Sequence, residues 1–117
     1  MTEFRHVGIV AKRDDAAVLT TVERLARYLL NRGLSILPDA IAAPVTPAAP
    51  ISRAEMGPQC DLCIVVGGDG TLLDAGRYMA PHDVPIVGVN RGRLGFMVDV
   101  SPDDMSARLD EILDGQG

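Results

Sequence analysis

Asp61 begins a run of five apolar residues, Leu62 to Val66, that passes without interruption into Gly67-Gly68-Asp69-Gly70-Thr71 and then into a helical-looking segment, Leu72 to Met79. A short, continuously apolar run reads as a strand buried on both faces, which is the setting of a parallel sheet. Parallel strands need a crossover, usually a helix, and a glycine-rich turn leading from such a strand straight into a helix supplies its beginning. No other feature of the chain constrains its fold as tightly. Gly76 weakens that helix by about 1 kcal/mol relative to Ala without removing it.

The same alternation extends in both directions. His6 to Ala11 is a β-branched apolar run that gives way to the polar loop Lys12-Arg13-Asp14-Asp15. Val18, Val22, Leu25 and Leu29 follow at steps of four, three and four, which places them on one helical face, and Gly33 stands where a C-terminal cap belongs. That apolar stripe is read as the core contact of a helix covering a sheet rather than as a dimer face. Leu34 to Leu37 forms a second short strand. Pro38, Pro44, Pro47 and Pro50, with Ala between them, break any regular pattern and mark a loop or weakly ordered excursion. Pro85 to Val89 is a further buried strand. Ser101-Pro102-Asp103-Asp104 combines an N-cap hydroxyl, a proline at the first helical position and acids at the positive helix end. A last helix then carries Met105, Leu109 and Ile112 on one face and ends near Gly115. Strands and helices in alternation, joined by right-handed crossovers, give an α/β fold: a doubly wound, mostly parallel sheet of Rossmann or flavodoxin-like type, with helices on both faces.

Composition agrees with that class and excludes others. The chain has 117 residues, 47% of them hydrophobic, which suffices for one domain with its own core, while aromatic residues amount to 3% and Trp is absent. The formal charge of −5 argues against a nucleic-acid surface, which needs a Lys/Arg excess to neutralise phosphates. It does not argue against a small phosphorylated ligand, because backbone N–H groups hold phosphate without net positive charge. The start, MTEFRHVGIV, lacks a secretory pattern and no run has the length of a membrane span, so a soluble cytoplasmic protein without membrane contact is expected. Cys60 and Cys63 lead into an apolar strand and are expected to pack there rather than to form a redox or zinc site.

In doubly wound sheets, ligands sit beyond the carboxyl ends of the strands, where Gly67 to Thr71 falls. Glycines let the main chain approach a phosphate, and the helix that follows directs free N–H groups and its positive end at the anion. Asp69 is the unusual member, because a carboxylate beside a phosphate is unfavourable unless it handles a proton or helps to organise Mg²⁺; the residues alone leave both roles open. A second glycine-containing loop, Asn90-Arg91-Gly92-Arg93-Leu94-Gly95-Phe96, follows the next strand at the same expected edge, and Arg91 and Arg93 suit phosphate. Lys12 and Arg13 reach that edge too, as solvated loop charges or phosphate contacts. His82 lies in a helix-to-strand connection expected at the opposite edge, and His6, at a strand start, is read as structural.

GGDGT at 67 to 71 followed by NRGRLGF at 90 to 96, in that order and at that separation, resembles the NAD kinase family. GGDG alone is shared with diacylglycerol, sphingosine and 6-phosphofructo kinases; the LGF segment is the narrower signal. The resemblance implies an enzyme that phosphorylates the 2′-hydroxyl of the adenosine ribose of NAD to give NADP, with ATP or another phosphoryl donor and Mg²⁺ or another divalent cation. By matching positions it implies Asp69 as the catalytic proton acceptor, and Asp69, Gly70, Gly95 and Phe96 at the NAD site. Gly67, Gly68, Gly70 and Thr71 would form the phosphate-binding loop, with Arg91 and Arg93 beside it. Some members carry a cation five positions after the motif's Asp, where this chain has Asp74. The family is similar to a two-domain homo-oligomer whose C-terminal, β-rich domain bears an Asn-acid motif. Residues 1 to 117 contain no such motif and correspond to the N-terminal nucleotide-binding domain, expected to be inactive by itself. The alternatives are a lipid or sugar kinase sharing GGDG, or a non-catalytic nucleotide-binding module.

Overall fold

The computed structural model describes residues 4–89, 98–100 and 105–114, with side chains throughout except at 98–100. Five strands, β1 (His6–Ala11), β2 (Ser35–Pro38), β3 (Leu62–Val66), β4 (Ile86–Val89) and β5 (Val98–Val100), form one sheet in the order β2-β1-β3-β4-β5. Every neighbouring pair is parallel. Among the described residues four α-helices accompany them: α1 (Ala16–Asn31), α2 (Arg53–Gln59), α3 (Asp69–Met79) and α4 (Met105–Leu113).

All five residues of β3 and all four of β4 are buried, as the unbroken apolar runs require of a sheet covered on both sides. Side chains alternate between two cores. Val7, Ile9, Leu62, Ile64, Val87 and Val89 face α1 and α4, where Val22, Leu25, Leu29, Met105 and Leu109 complete one core. Val10, Cys63, Val65 and Ile86 face α2 and α3, against Met56, Leu72, Ala75 and Met79. The expected doubly wound α/β architecture is therefore present, with helices on both faces.

α1 follows its sequence signals closely. Asp15 caps it by accepting from Ala17 N and Val18 N at 3.0 and 3.2 Å, and Val18, Val22, Leu25 and Leu29 are buried. At the other end Gly33 has φ +79°, while Gly33 N and Leu34 N donate to Leu30 O and Leu29 O at 3.0 and 3.1 Å, a Schellman closure. β2 is shifted one residue from the expected Leu34 to Leu37, and α3 starts at Asp69, three residues earlier than its apolar pattern suggests. The proline-bearing stretch is a hydrogen-bonded excursion with a short 3-10 turn at Ala43–Val45, closed by Ile51 N donating to Pro38 O at 2.9 Å. Met105 and Leu109 of α4 are buried as expected; its proposed cap, Ser101 to Asp104, lies outside the described residues.

Of the described strands and α-helices, two escaped the sequence reading. β5 is one. α2 is the other, although Ser52-Arg53-Ala54-Glu55 carries a capping-box pattern: the Ser52 hydroxyl accepts from Glu55 N at 3.1 Å and donates to the Glu55 carboxylate at 3.0 Å.

Candidate functional site: a cleft at the switch point

From β1 the chain winds outward to β2, and from β3 it winds the other way to β4, so the strand order reverses between β1 and β3. Ligands of open α/β sheets bind outside the carboxyl ends at such a point. β1 and β3 end in register there, Ala11 opposite Val66, and Val89 of β4 is level with them. Lys12 N donates to Val66 O at 2.9 Å and Gly67 N to Val89 O at 3.2 Å, which draws the three strand ends together.

Gly67 is at φ +155°, and a Cβ there would stand 2.7 Å from Lys12 Cβ; only glycine fits. Gly68 is the N-cap of α3 and offers no side chain, so the helix begins without a side-chain cap. The amides of its first turn have no partner within the helix and carry its positive end.

Beside this turn lies a cavity of about 810 Å³. Lys12, Arg13, Gly70 and Thr71 line one side, and Ala40, Ile41, Pro50 and Ile51 supply an apolar wall. Lys12 and Arg13 are exposed, and neither forms an ion pair among the described residues. Asp39, Arg53 and Asp74 line the cavity as well. Asp39 is 3% exposed: Oδ1 accepts from Ile41 N and Ala42 N at 3.1 and 2.8 Å, and Oδ2 from Ala11 N at 3.2 Å. The Arg53 guanidinium pairs with Asp39 at 2.9 Å and also with Asp74. Burial would lower the Arg53 pKa, but hydrogen bonds to the two carboxylates more than offset it and hold the value above the ordinary one.

Of the residues expected at the site, Gly70 and Thr71 line the cavity together with Lys12 and Arg13. Gly67 and Gly68 shape the turn without lining it. Asp69 is exposed on the first turn of α3 and is likewise outside the cavity lining. Asp74 is bound to Arg53, so α3 presents no cation at that position. Arg91, Arg93, Gly95 and Phe96 lie outside the described residues. Asp39 and Arg53 were missed by sequence reading. Asp39 follows a strand at the ligand edge, as Lys12 and Gly67 do, and the capping box at 52 to 55 marks the helix on which Arg53 is the first residue.

His82 and the two cysteines are outside the cavity lining. His82 is in the 3-10 turn Ala80–His82 that precedes β4, at the opposite edge. Both cysteines are free and buried; burial pushes the Cys60 thiol up to about 11 and that of Cys63 higher still. Thiolate chemistry at neutral pH is thereby suppressed.

The family model of the ATP-NAD kinase N-terminal domain matches residues 7–117. The chain is 44% identical over 118 residues to NAD kinase of Pseudomonas fluorescens, covering 98% of this chain and 40% of that protein. It is 45% identical over 118 residues to NAD kinase of Pseudomonas syringae pv. syringae, again covering 98% and 40%. Its fold is similar to that in the crystal structure of yeast NADH kinase complexed with NADH, at a TM-score of 0.72 and 16% identity, covering 99% of this chain and 40% of that one. The chain thus spans 40% of the length of these relatives. A glycine loop at the switch point, a parallel sheet of the same fold and a match along nearly the whole sequence together establish that the chain belongs to the NAD kinase family, as its N-terminal domain.

Proposed function

We propose that this chain is the donor-binding part of an enzyme that transfers a phosphoryl group from ATP, or another phosphoryl donor, to the 2′-hydroxyl of the adenosine ribose of NAD. The observation that carries this reading is the convergence on one cleft of an uncapped helix start and two unpaired cations, Lys12 and Arg13. The donor's phosphates lie against Lys12, Arg13, Gly70 and Thr71, and its nucleoside against Ala40, Ile41, Pro50 and Ile51. A concave, partly apolar space with a few convergent polar groups suits a nucleotide.

NAD is then held on the outer side of the glycine loop, where Asp69 is open and accepts the proton of the attacking hydroxyl. Gly70 lies next to it, with Gly95 and Phe96 assigned to the dinucleotide and Arg91 and Arg93 to phosphate by the family pattern. Donor and acceptor would thus meet across the first turn of α3. A β-rich domain supplies the rest of the NAD pocket, so the isolated chain is inactive, and the complete enzyme is a cytoplasmic homo-oligomer.

No group of three His, Cys, Asp or Glu among the described residues is placed to hold a metal ion, and the carboxylates of Asp39 and Asp74 are already engaged. In this reading a divalent cation enters with the donor's phosphates. Among the described residues no helix is long and apolar enough to cross a membrane. Nothing favours the lipid- or sugar-kinase alternative over the relatives' activity.

The test is turnover with ATP and NAD by a protein that joins this chain to the remaining length of its relatives. Asp69→Asn should abolish NADP formation and leave the fold intact. Near-normal turnover would remove Asp69 from its role, and phosphorylation of diacylglycerol in place of NAD would reverse the substrate assignment.

A further inference from the structure

The guanidinium of Arg53 is almost fully spent inside the protein. Nε and Nη2 donate to Asp39 Oδ2 at 3.2 and 2.9 Å, Nη2 donates also to Ala11 O at 3.3 Å, and Nη1 donates to Asp74. These four bonds leave one of an arginine's roughly five N–H donors. The Nε and Nη2 edge, which grips a phosphate as a fork elsewhere, is occupied by Asp39. Asp39 is itself buried and fixed by three backbone amides, so releasing Arg53 would strand a carboxylate away from water. Arg53 is therefore not built to grip phosphate directly.

Asp74 is differently placed. Its side chain is 38% exposed, it lines the same cavity as Gly70 and Thr71, and among the described residues Arg53 alone forms an ion pair with it. A carboxylate in that position opposes a polyanion unless a cation compensates it, and screening is weak in a partly enclosed space. With Arg53 the cleft holds three cations, Lys12, Arg13 and Arg53, against two acids, Asp39 and Asp74; without it, two face two.

We infer that Arg53 is a positioning and charge-balancing residue of the donor site. It acts through Asp74, neutralising that carboxylate and holding it against the Asp39 side of the cleft, so that the cleft admits a polyphosphate chain. The inference rests on the reading of the cleft as the donor site and adds the residue on which its tolerance of a triphosphate depends.

Calorimetric titration of the chain with inorganic tripolyphosphate and with ATP tests it, on the wild type, Arg53→Gln, Asp74→Asn and the double variant. Arg53→Gln should weaken both ligands by about tenfold, the scale of one lost charge interaction. The double variant should recover to within about threefold of wild type, because the uncompensated acid has gone. A purely structural role, or direct contact between Arg53 and phosphate, would leave the double variant as weak as Arg53→Gln and would overturn the inference. Should Arg53→Gln not fold, Asp74→Asn decides: binding tighter by about threefold supports the inference, and equal or weaker binding overturns it. If the wild-type chain binds neither tripolyphosphate nor ATP, the donor-site reading falls and this inference with it. Wild-type binding that ignores both substitutions overturns this inference alone.

Discussion

The main chain at Gly67 takes a conformation and a proximity that a side chain forbids: φ is +155° and a Cβ would stand 2.7 Å from Lys12 Cβ. Gly67→Ala should therefore cost about 1–3 kcal/mol through backbone strain alone, with the clash added, as read by urea denaturation. Stability within a few tenths of a kcal/mol of wild type would show that the turn is not constrained in this way. The cysteines give a second residue-scale expectation. Because burial raises both thiols, alkylating reagents at neutral pH should label Cys60 and Cys63 only in denaturant, and rapid labelling of the folded chain would contradict it. At this scale the glycine loop was legible because its composition has few other uses after a buried strand. Arg53 was not, since an arginine at a helix start has no sequence signature for an acid 14 residues upstream and another 21 residues downstream.

Elements with strong local signals, such as α1, were read clearly, because a four-residue apolar stripe and a Gly closure agree with one another; its Asp15 cap was not read, since the polar stretch before it looked like loop. α2 was hidden by its shortness and by Pro58 within it, although its cap was visible. Ser52→Ala should destabilise the chain by about 1 kcal/mol, measured by thermal or urea unfolding, and no loss would show that the cap contributes nothing. β5 is three residues long, too short for alternation to appear. The contact of α1 with α4 adds a pH expectation. Burial first, and then the hydrogen bond to Asp110, push Tyr28 from its ordinary 10.0 up to about 12. A raised folded pKa contributes stability that is fully present below pH 10 and is lost as pH rises towards about 12. Tyr28→Phe should therefore flatten the fall of unfolding free energy across that interval. An unchanged alkaline limb would mean that Tyr28 does not couple the two helices.

The topology of the whole molecule follows from apolar runs alternating with helical faces, and the position of the cleft follows from the topology. Strand order itself was not legible, because no local pattern states that β1 lies between β2 and β3; that is settled by how α1 and α4 share one face and α2 and α3 the other. Once the order is known, Lys12, Asp39 and Gly67 fall at the carboxyl ends of three adjacent strands, and residues far apart in sequence become one site. The central claim is that this cleft receives the phosphoryl donor. Amide chemical-shift mapping of the isotope-labelled chain during titration with ATP tests it most directly. The account predicts perturbations concentrated at Lys12, Arg13, Gly70, Thr71 and Asp74. Perturbations confined to the opposite edge, around Phe4, His82 and Val84, would contradict it.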